Sequence, residues 1–310
     1  VHWSDAAWLG GDSALWHALF HAISAFCNAG FSLFSDNLTR FQGDAMTQVV
    51  IMALVLTGGI GFPVLRELWT RSSNLFRRRV LKRHVPWRRT PVGMKVALLM
   101  SAILLVAGAL AFGATEANGV LAPLAPGDQA LNATFASVVS RSAGFNTLDV
   151  ASFSPPTLFI VLMLMFVGGS SGGTAGGIKT NTLAVLLATL RGELRGRDPE
   201  LFGRAIDPRA IRRAVAVSAL SLLFVALALL LLSVFEPDKP FLSLAVETVS
   251  AFGTVGLSAG LTTDLGTASK LLLTMTMFVG RVGPLTIAYA VGRDHGGARH
   301  RLASEDLMVG

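Results

Sequence analysis

The chain has 310 residues, of which 52% are hydrophobic and only 15% are charged, and its mean hydropathy is +0.59. Soluble domains carry roughly 25% charged residues, so this composition argues against a soluble enzyme and predicts a protein that lies mostly in lipid. The single cysteine, Cys27, excludes an internal disulfide framework. Because the first residue is Val1 rather than methionine, we expect the coding sequence to begin further upstream.

Eight apolar stretches follow one another along the chain. Five of them are long enough to span about 30 Å of hydrocarbon, which takes roughly 20 helical residues. These five lie near Met46–Leu65, Lys95–Thr115, Thr157–Leu190, Ala214–Phe235 and Ser269–Gly292. The other three have only about a dozen residues, so re-entrant half-helices fit them better than spans. They are Ala14–Phe26, Ala130–Ser140 and Phe241–Phe252.

Positive charge is concentrated in three places. Ten Lys and Arg residues lie in Arg66–Lys95, seven lie in Arg191–Arg213, and three follow Gly292, whereas the opposite loops are mainly acidic. The positive-inside rule therefore predicts that the basic loops and the C-terminus are cytoplasmic, in a multi-pass protein of the cytoplasmic membrane. The net charge of +7 then reflects topology and contact with lipid headgroups, and no nucleic-acid partner is predicted.

An internal repeat is the main signal in the sequence. Ser24–Phe31, Val138–Phe145 and Ser250–Leu257 align on Gly30, Gly144 and Gly256, and each is followed by a second glycine cluster. The sequence thus predicts an all-α membrane protein with repeated units of helix, re-entrant pore loop and helix around a central pore. The predicted divisions are pore units at 1–70, 93–192 and 212–292, loops at 71–92 and 193–211, and a tail at 293–310.

The repeated unit has the features of a cation-binding site. A half-helix that ends inside the membrane directs the negative end of its dipole at the midplane, and a glycine after it lets the backbone present carbonyl groups to an ion. Thr254-Val255-Gly256 matches the first three residues of the potassium-channel filter motif Thr-Val-Gly-Tyr-Gly. The alternative is that these glycines only allow close packing of helices.

With these motifs, the chain resembles the ion-conducting subunit of the Trk/Ktr/HKT potassium-transport superfamily, nearest the bacterial Ktr type. Members carry four such units, so the resemblance implies that an N-terminal repeat is missing here. Cys27 departs mildly from the asparagine that is usual at its position. The implied potassium-binding filter consists of Asn28, Ala29, Gly30, Phe31, Ser142, Ala143, Gly144, Phe145, Thr254, Val255, Gly256 and Leu257.

The resemblance also implies a gate and partners. The implied gate is an intramembrane loop at 168–179 with an arginine beside it, namely Gly168, Gly169, Ser170, Ser171, Gly172, Gly173, Thr174, Ala175, Gly176, Gly177, Lys179 and Arg281. The implied partners are a second copy of the chain, a cytoplasmic nucleotide-binding regulatory ring and the lipid bilayer. We expect channel-like potassium uptake without a covalently bound cofactor. A secondary symporter that couples potassium to sodium or protons is the alternative, and no catalytic constellation predicts an enzyme.

Four further features of the sequence bear on the site. His17 and His21 have metal-like spacing, although an interfacial helix explains them better. Glu247 is expected either to anchor the filter loop or to be a simple buried cap, and Arg141 to buttress the filter near its extracellular mouth. The glycine run lacks the Gly-Lys-Ser/Thr ending of a nucleotide-binding loop, because Ile178 precedes the lysine.

Overall fold

The computed structural model describes residues 13–79, 90–283 and 286, and this part of the chain is mostly helical. Its helices are α1 (Ala14–Phe26), α2 (Ala45–Ile60), α3 (Phe62–Arg79), α4 (Val92–Glu116), α5 (Pro126–Val139), α6 (Pro155–Phe166), α7 (Thr180–Arg195), α8 (Pro208–Phe235), α9 (Phe241–Phe252) and α10 (Thr267–Val282). A two-stranded antiparallel hairpin pairs β1 (Glu200–Leu201) with β2 (Arg204–Ala205). The all-α prediction is confirmed. Much of the predicted basic loop at 71–92 and the whole tail at 293–310 lie outside the described residues.

Two of the described helices, α4 and α8, are each long and apolar enough to cross a membrane. The predictions of one long apolar helix at Lys95–Thr115 and another at Ala214–Phe235 are therefore confirmed. The predicted span at Met46–Leu65 is wrong as a single helix, because the chain bends by 102° between α2 and α3. The bend lies at Gly61, whose φ of +92° falls in the left-handed region that favours glycine.

The two remaining predicted spans are shorter than expected. Thr157–Leu190 is divided into α6 and α7, and the glycine run that predicted the division lies between them. Ser269–Gly292 forms α10 only as far as Val282, and Gly283 then has the same φ of +92° as Gly61. Of the residues that follow it in the predicted span, only residue 286 is described.

The three half-helices have the lengths that their sequences indicate. α1 and α9 have the predicted bounds, and α5 begins four residues earlier than predicted, at Pro126. Proline suits the first turn of a helix because the amide it lacks would have no helical partner there. Each half-helix packs against a longer helix of its own unit: α1 against α2, α5 against α4, and α9 against α10.

Apolar side chains lock the units together. One core cluster joins Phe112 of α4 to Val161 of α6 and to Val246 and Phe252 of α9. A second cluster joins α1 and α2 to α5 through residues such as Ala25. Both clusters contain residues of half-helices together with residues from distant stretches of the chain. The half-helices therefore form the centre of the fold.

Two carboxylates fix the starts of later helices in the same manner. Glu116 Oε1, at the end of α4, accepts hydrogen bonds from Ser154 N (2.8 Å) and Ser154 Oγ (2.7 Å), directly before α6. Glu236 Oε1, directly after α8, accepts hydrogen bonds from Gly266 N (2.7 Å) and Ser269 Oγ (2.7 Å) at the start of α10. Each carboxylate therefore occupies a helix N-terminus, where free amides and the helix dipole favour negative charge.

Candidate functional site

The three glycine-centred segments share one backbone conformation. The φ angles are 52° and 73° at Asn28 and Gly30, 77° and 72° at Ser142 and Gly144, and 48° and 92° at Thr254 and Gly256. The residue between each pair has a negative φ. This alternation turns successive carbonyl groups toward the same side of the chain. Left-handed conformation is costly for non-glycine residues, so its threefold recurrence marks a conformation that the surrounding structure imposes.

The amides of these segments are directed back at the half-helices. Ala29 N donates to Ser24 O (2.8 Å), Ala143 N to Val139 O (3.0 Å), and Val255 N to Ser250 O (2.8 Å). Within the described residues, no hydrogen bond reaches the carbonyl oxygens of residues 28–30, 142–143 and 254–256. Unpaired carbonyls are the groups that replace the hydration shell of a cation in a selectivity filter.

The central glycines meet although they are far apart in sequence. A Cβ added to Gly144 would lie 3.2 Å from Gly30 Cα, 3.3 Å from Gly256 Cα and 2.3 Å from Val255 O. A Cβ added to Gly30 would lie 2.5 Å from Ala143 O. These separations are shorter than ordinary contact distances, so the segments approach too closely for side chains at Gly30 and Gly144.

The residues that follow the three glycines differ in exposure. Phe145 and Leu257 are 0% and 4% exposed, whereas Phe31 is 71% exposed. The three segments therefore share a backbone conformation without sharing a side-chain environment. Ser142 also links two of the segments, because its Oγ donates to Gly253 O at 2.7 Å.

Glu247 of α9 anchors the chain that follows the third segment. Its side chain is buried and accepts hydrogen bonds from Ser258 Oγ (2.5 Å), Ala259 N (3.1 Å) and Thr262 Oγ1 (2.7 Å). Of the two interpretations that the sequence left open, the anchor fits these contacts. A carboxylate with three donors holds the chain on one side of Gly256 while the half-helix holds the other.

A second kind of glycine lies in the helices that follow the segments. A Cβ on Gly58 of α2 would lie 1.9 Å from the carbonyl oxygen of Phe26, the last residue of α1. A Cβ on Gly280 of α10 would lie 1.8 Å from the carbonyl oxygen of Phe252, the last residue of α9. Close packing, which was the alternative for the filter glycines, is thus the explanation for Gly58 and Gly280.

The glycine-rich run between α6 and α7 forms a closed loop. An isolated parallel bridge pairs Val167 with Ile178, and Gly168 N donates to Ile178 O at 2.9 Å. The run contains the predicted gating residues Gly168, Gly169, Ser170, Ser171, Gly172, Gly173, Thr174, Ala175, Gly176 and Gly177. Left-handed φ angles at Gly172 (81°) and Gly177 (66°) permit its turns.

This loop touches the first and the third of the repeated units. Ser170 N donates to Gly59 O (2.9 Å), and Phe62 N donates to Gly172 O (3.1 Å), so the loop is bound to the bend between α2 and α3. A Cβ on Gly176 would lie 2.3 Å from Thr254 Oγ1, beside the third segment. The loop therefore lies at the ends of the half-helices, beside the glycine-centred segments.

Two basic side chains bind carbonyl groups of the loop. Arg281 Nη1 donates to Thr174 O, and Lys179 Nζ donates to Ala175 O at 2.5 Å. The structure therefore brings the predicted gating residues Lys179 and Arg281 to neighbouring carbonyls of the same loop.

Arg141 connects the second segment to two other elements. Its guanidinium is buried and donates to Ser101 O (3.2 Å), Ser101 Oγ (3.3 Å) and Gly168 O (3.4 Å). Ser101 lies within α4, and Gly168 begins the glycine-rich loop. The expected position of Arg141 near the extracellular mouth stays a prediction.

The histidine pair packs against an aromatic ring. His17 and His21 stack with ring centroids 6.2 Å apart, and both stack on Phe34. His21 Nδ1 donates to His17 O (2.7 Å), and Nε2 lies 2.9 Å from Ser32 Oγ. Within the described residues, no group of three or more His, Cys, Asp or Glu side chains is placed to hold a metal.

Sequence reasoning missed two anchoring serines. Ser24 Oγ donates to Phe31 O at 2.8 Å, and Gly256 N donates to Ser250 Oγ at 3.2 Å. Both serines lie six residues before the central glycine of their segments. The signal that could have identified these two serines is their shared position in the aligned repeats.

The sequence matches the family model TrkH, described as a cation transport protein, over residues 1–294. The chain belongs to the TrkH cation transport family. The resemblance to the Trk/Ktr/HKT superfamily is thereby confirmed. The Ktr system potassium uptake protein B of Bacillus subtilis is 40% identical over 285 residues, covering 92% of this chain and 61% of that protein. The potassium/sodium uptake protein NtpJ of Enterococcus hirae is 36% identical over 310 residues, covering 97% of this chain and 65% of that protein.

A solved structure shows the same TrkH-family fold. The crystal structure of the potassium transporter TrkH from Vibrio parahaemolyticus matches with a TM-score of 0.72 at 18% identity, covering 92% of this chain and 60% of that one. At this identity the match establishes the fold alone. The chain spans between 60% and 65% of the length of these three proteins.

Proposed function

We propose that this chain forms part of a channel-like pathway for potassium uptake, in which backbone carbonyls of the three glycine-centred segments coordinate the ion. The filter comprises residues 28–31, 142–145 and 254–257. The observation that carries the proposal is the set of unpaired carbonyl oxygens at residues 28–30, 142–143 and 254–256. Three half-helices direct the negative ends of their dipoles toward the same place, which favours a cation there.

The glycine-rich loop is the proposed gate. Unwound backbone at membrane depth is tolerated where it is buried in protein or faces a water-filled path. The loop at 168–177 lies at the ends of the half-helices, and Lys179 and Arg281 bind its carbonyls. It would obstruct the pathway sterically, and the two positive charges would raise the electrostatic barrier for a cation.

The membrane context and the partners are proposed from the charge pattern and the family. The basic loops and the C-terminus are assigned to the cytoplasm of a multi-pass protein in the cytoplasmic membrane. Relatives named as proteins of Ktr systems support a membrane subunit that works within a larger system. The partners that we propose for it are a second copy of the chain and a cytoplasmic nucleotide-binding ring. Potassium is the transported ion rather than a resident cofactor.

Coupled transport is the second candidate. One relative is named a potassium/sodium uptake protein, which favours a symporter that moves both ions. Flux measured with potassium and sodium isotopes in the same vesicles separates the candidates. Strict coupling of potassium flux to a second ion would exclude the channel mechanism, and potassium flux without the second ion would exclude the symporter.

Replacement of the central glycines by serine tests the filter. Gly30→Ser, Gly144→Ser and Gly256→Ser should each reduce selectivity for potassium over sodium, because left-handed φ disfavours a side chain at all three positions. Gly43→Ser is the matched control, since no atom lies within 4 Å of its added Cβ. Reversal potentials in mixed potassium and sodium give the measurement. Unchanged selectivity in all three variants would remove the filter assignment.

A further inference from the structure

A separate cavity lies between α4, α7 and the β1–β2 hairpin, away from the three glycine-centred segments. Its volume is about 550 Å³. Apolar residues of α4 form one part of its lining, namely Val96, Leu99 and Met100. Basic residues at the end of α7 form another part, namely Arg191, Arg195 and Arg197. The cavity is therefore amphipathic.

Small residues of α7 make room for this cavity. Ala184, Ala188 and Gly192 lie four residues apart, on one face of the helix, and all three line the cavity. Residues at this spacing form a continuous strip along a helix, and small side chains leave a groove beside the facing helix. The strip runs from the apolar part of the cavity to its basic end.

The basic end carries more positive than negative charge. Arg191, Arg195 and Arg197 are exposed and, within the described residues, form no ion pair, although Asp198 and Glu200 also line the cavity. A fourth cation, Lys95, lies 5.3 Å from the centroid of the Phe202 ring at the cavity rim. An anionic ligand would therefore be attracted to this end.

The polarity of the cavity changes along α4. Lys95 lies at the start of this helix, and Leu99 lies one turn further along it, or about 6 Å at 1.5 Å per residue. α4 is long and apolar enough to cross a membrane, and Leu99 is 48% exposed, as expected for a side chain that faces lipid. In a membrane-crossing α4, the basic end of the cavity would lie at headgroup depth and the apolar end at the depth of the acyl chains.

We propose that this cavity is a binding site for one anionic phospholipid. The lipid phosphate binds between Arg191, Arg195 and Arg197, whose planar guanidinium groups suit bidentate recognition of phosphate. An acyl chain lies along Val96 and Leu99. A zwitterionic lipid fits less well, because its cationic headgroup would lie near the arginines. Assignment to the cytoplasmic leaflet rests on the proposed orientation of the protein.

Lipid binding to the purified protein in mild detergent tests this site. Native mass spectrometry would count retained phosphatidylglycerol and phosphatidylcholine after equal additions, and titration would give the affinity for each lipid. We expect preferential retention of phosphatidylglycerol. Arg191→Gln, Arg195→Gln and Arg197→Gln, combined in one variant, should weaken that binding by about fivefold per arginine, from the typical contribution of a basic residue at a membrane surface.

Matched variants distinguish lipid binding at this site from a general effect of protein charge or of apolar surface. Arg209→Gln, Arg212→Gln and Arg213→Gln together remove the same charge from the start of α8, outside the cavity lining. Leu99→Gln should weaken phosphatidylglycerol binding, whereas Leu110→Gln, at an exposed position of the same helix, should not. Equal losses with both arginine sets would overturn the site.

Two further measurements test whether the bound phosphate belongs to a lipid and whether lipid binding is independent of ion selectivity. Inorganic phosphate should compete only weakly, because it cannot occupy the apolar part of the cavity. Competition as strong as that of phosphatidylglycerol would overturn the lipid assignment. Selectivity for potassium over sodium should be unchanged in the Arg191, Arg195 and Arg197 variant, so a failure of the filter proposal and a failure of the lipid site give different results.

Discussion

Gly280 lies so close to Phe252 that an added Cβ would be 1.8 Å from the Phe252 carbonyl oxygen. The distance is far below van der Waals contact, and the obstructing atom belongs to backbone that cannot rotate away. The C-terminal end of the third half-helix is therefore held directly against α10. Because this end carries the segment around Gly256, the contact helps to set the position of the proposed filter.

Gly280→Ala should destabilise the protein. The added methyl group overlaps the Phe252 carbonyl and must displace either α9 or α10, which we expect to cost about 2–3 kcal/mol. Gly113→Ala in α4 is the control, because its Cβ would lie 3.8 Å from the nearest atom, and it should stabilise the helix by roughly 0.5–1 kcal/mol. Melting temperatures in one detergent give the comparison. Equal melting temperatures for the two variants would contradict the close contact.

Glu247→Gln should loosen the chain after the third segment. The amide keeps the shape of the carboxylate but has one acceptor oxygen, so at least one of the hydrogen bonds from Ser258, Ala259 and Thr262 is lost, at about 1–3 kcal/mol. We expect lower selectivity for potassium over sodium, measured by reversal potential. Asp264→Asn, at an exposed position nearby, should leave selectivity unchanged. A loss of stability with full selectivity would assign Glu247 to the fold alone.

Arg281→Gln should increase potassium flux if the glycine-rich loop is the gate. The substitution removes a positive charge and weakens the contact with the Thr174 carbonyl. Deletion of residues 170–175 should have a larger effect in the same direction. Lys270→Gln, at the start of the same helix, controls for the loss of charge. The measurement is potassium flux at matched amounts of folded protein, and flux no higher than in the parent would reject the gate.

Glu236 should contribute to the dependence of stability on pH. The pKa of this carboxyl is held below its usual value of 4.5, mainly by the hydrogen bond from the Gly266 amide and then by the hydrogen bond from the Ser269 hydroxyl. A lowered pKa in the folded state means that the stabilisation is present above pH 4.5 and is lost as pH falls through the folded-state pKa.

A comparison of variants isolates this effect. Between pH of about 6 and about 3, the melting temperature of Glu236→Gln should fall less than that of the parent. Asp238→Asn removes a nearby carboxylate that lacks these hydrogen bonds and should follow the parent curve. Identical curves for the parent and Glu236→Gln would show that the helix-terminal contact does not contribute.

The helical architecture was largely predictable because its signals are local. The bounds of α1 and α9 follow from their short apolar runs, and α4 and α8 follow from their length and composition. The sharp bend at Gly61 was not predicted. An apolar run that continues past a glycine fits a straight helix as well as a bent one, and the bend depends on contact with the loop of another unit.

The part of the candidate site that belongs to the internal repeat was predictable from the sequence. The alignment identified Gly30, Gly144 and Gly256, which the structure brings together. It did not identify the partners of Arg141, because Ser101 and Gly168 are separated by 67 positions and neither belongs to the repeated motif. Contacts between elements that are distant in sequence leave no periodic pattern, so the position of Arg141 came only from the structure.

The hydrogen bond between the glycine-rich loop and the start of α3 couples the position of this helix to the loop. α3 has 18 residues, so it is about 27 Å long at 1.5 Å per residue. Its first residue, Phe62, donates to Gly172 O, and Gly61 lies at the bend directly before it. A displacement of the far end of α3 would therefore reach the loop through this hydrogen bond, unless the bond breaks first.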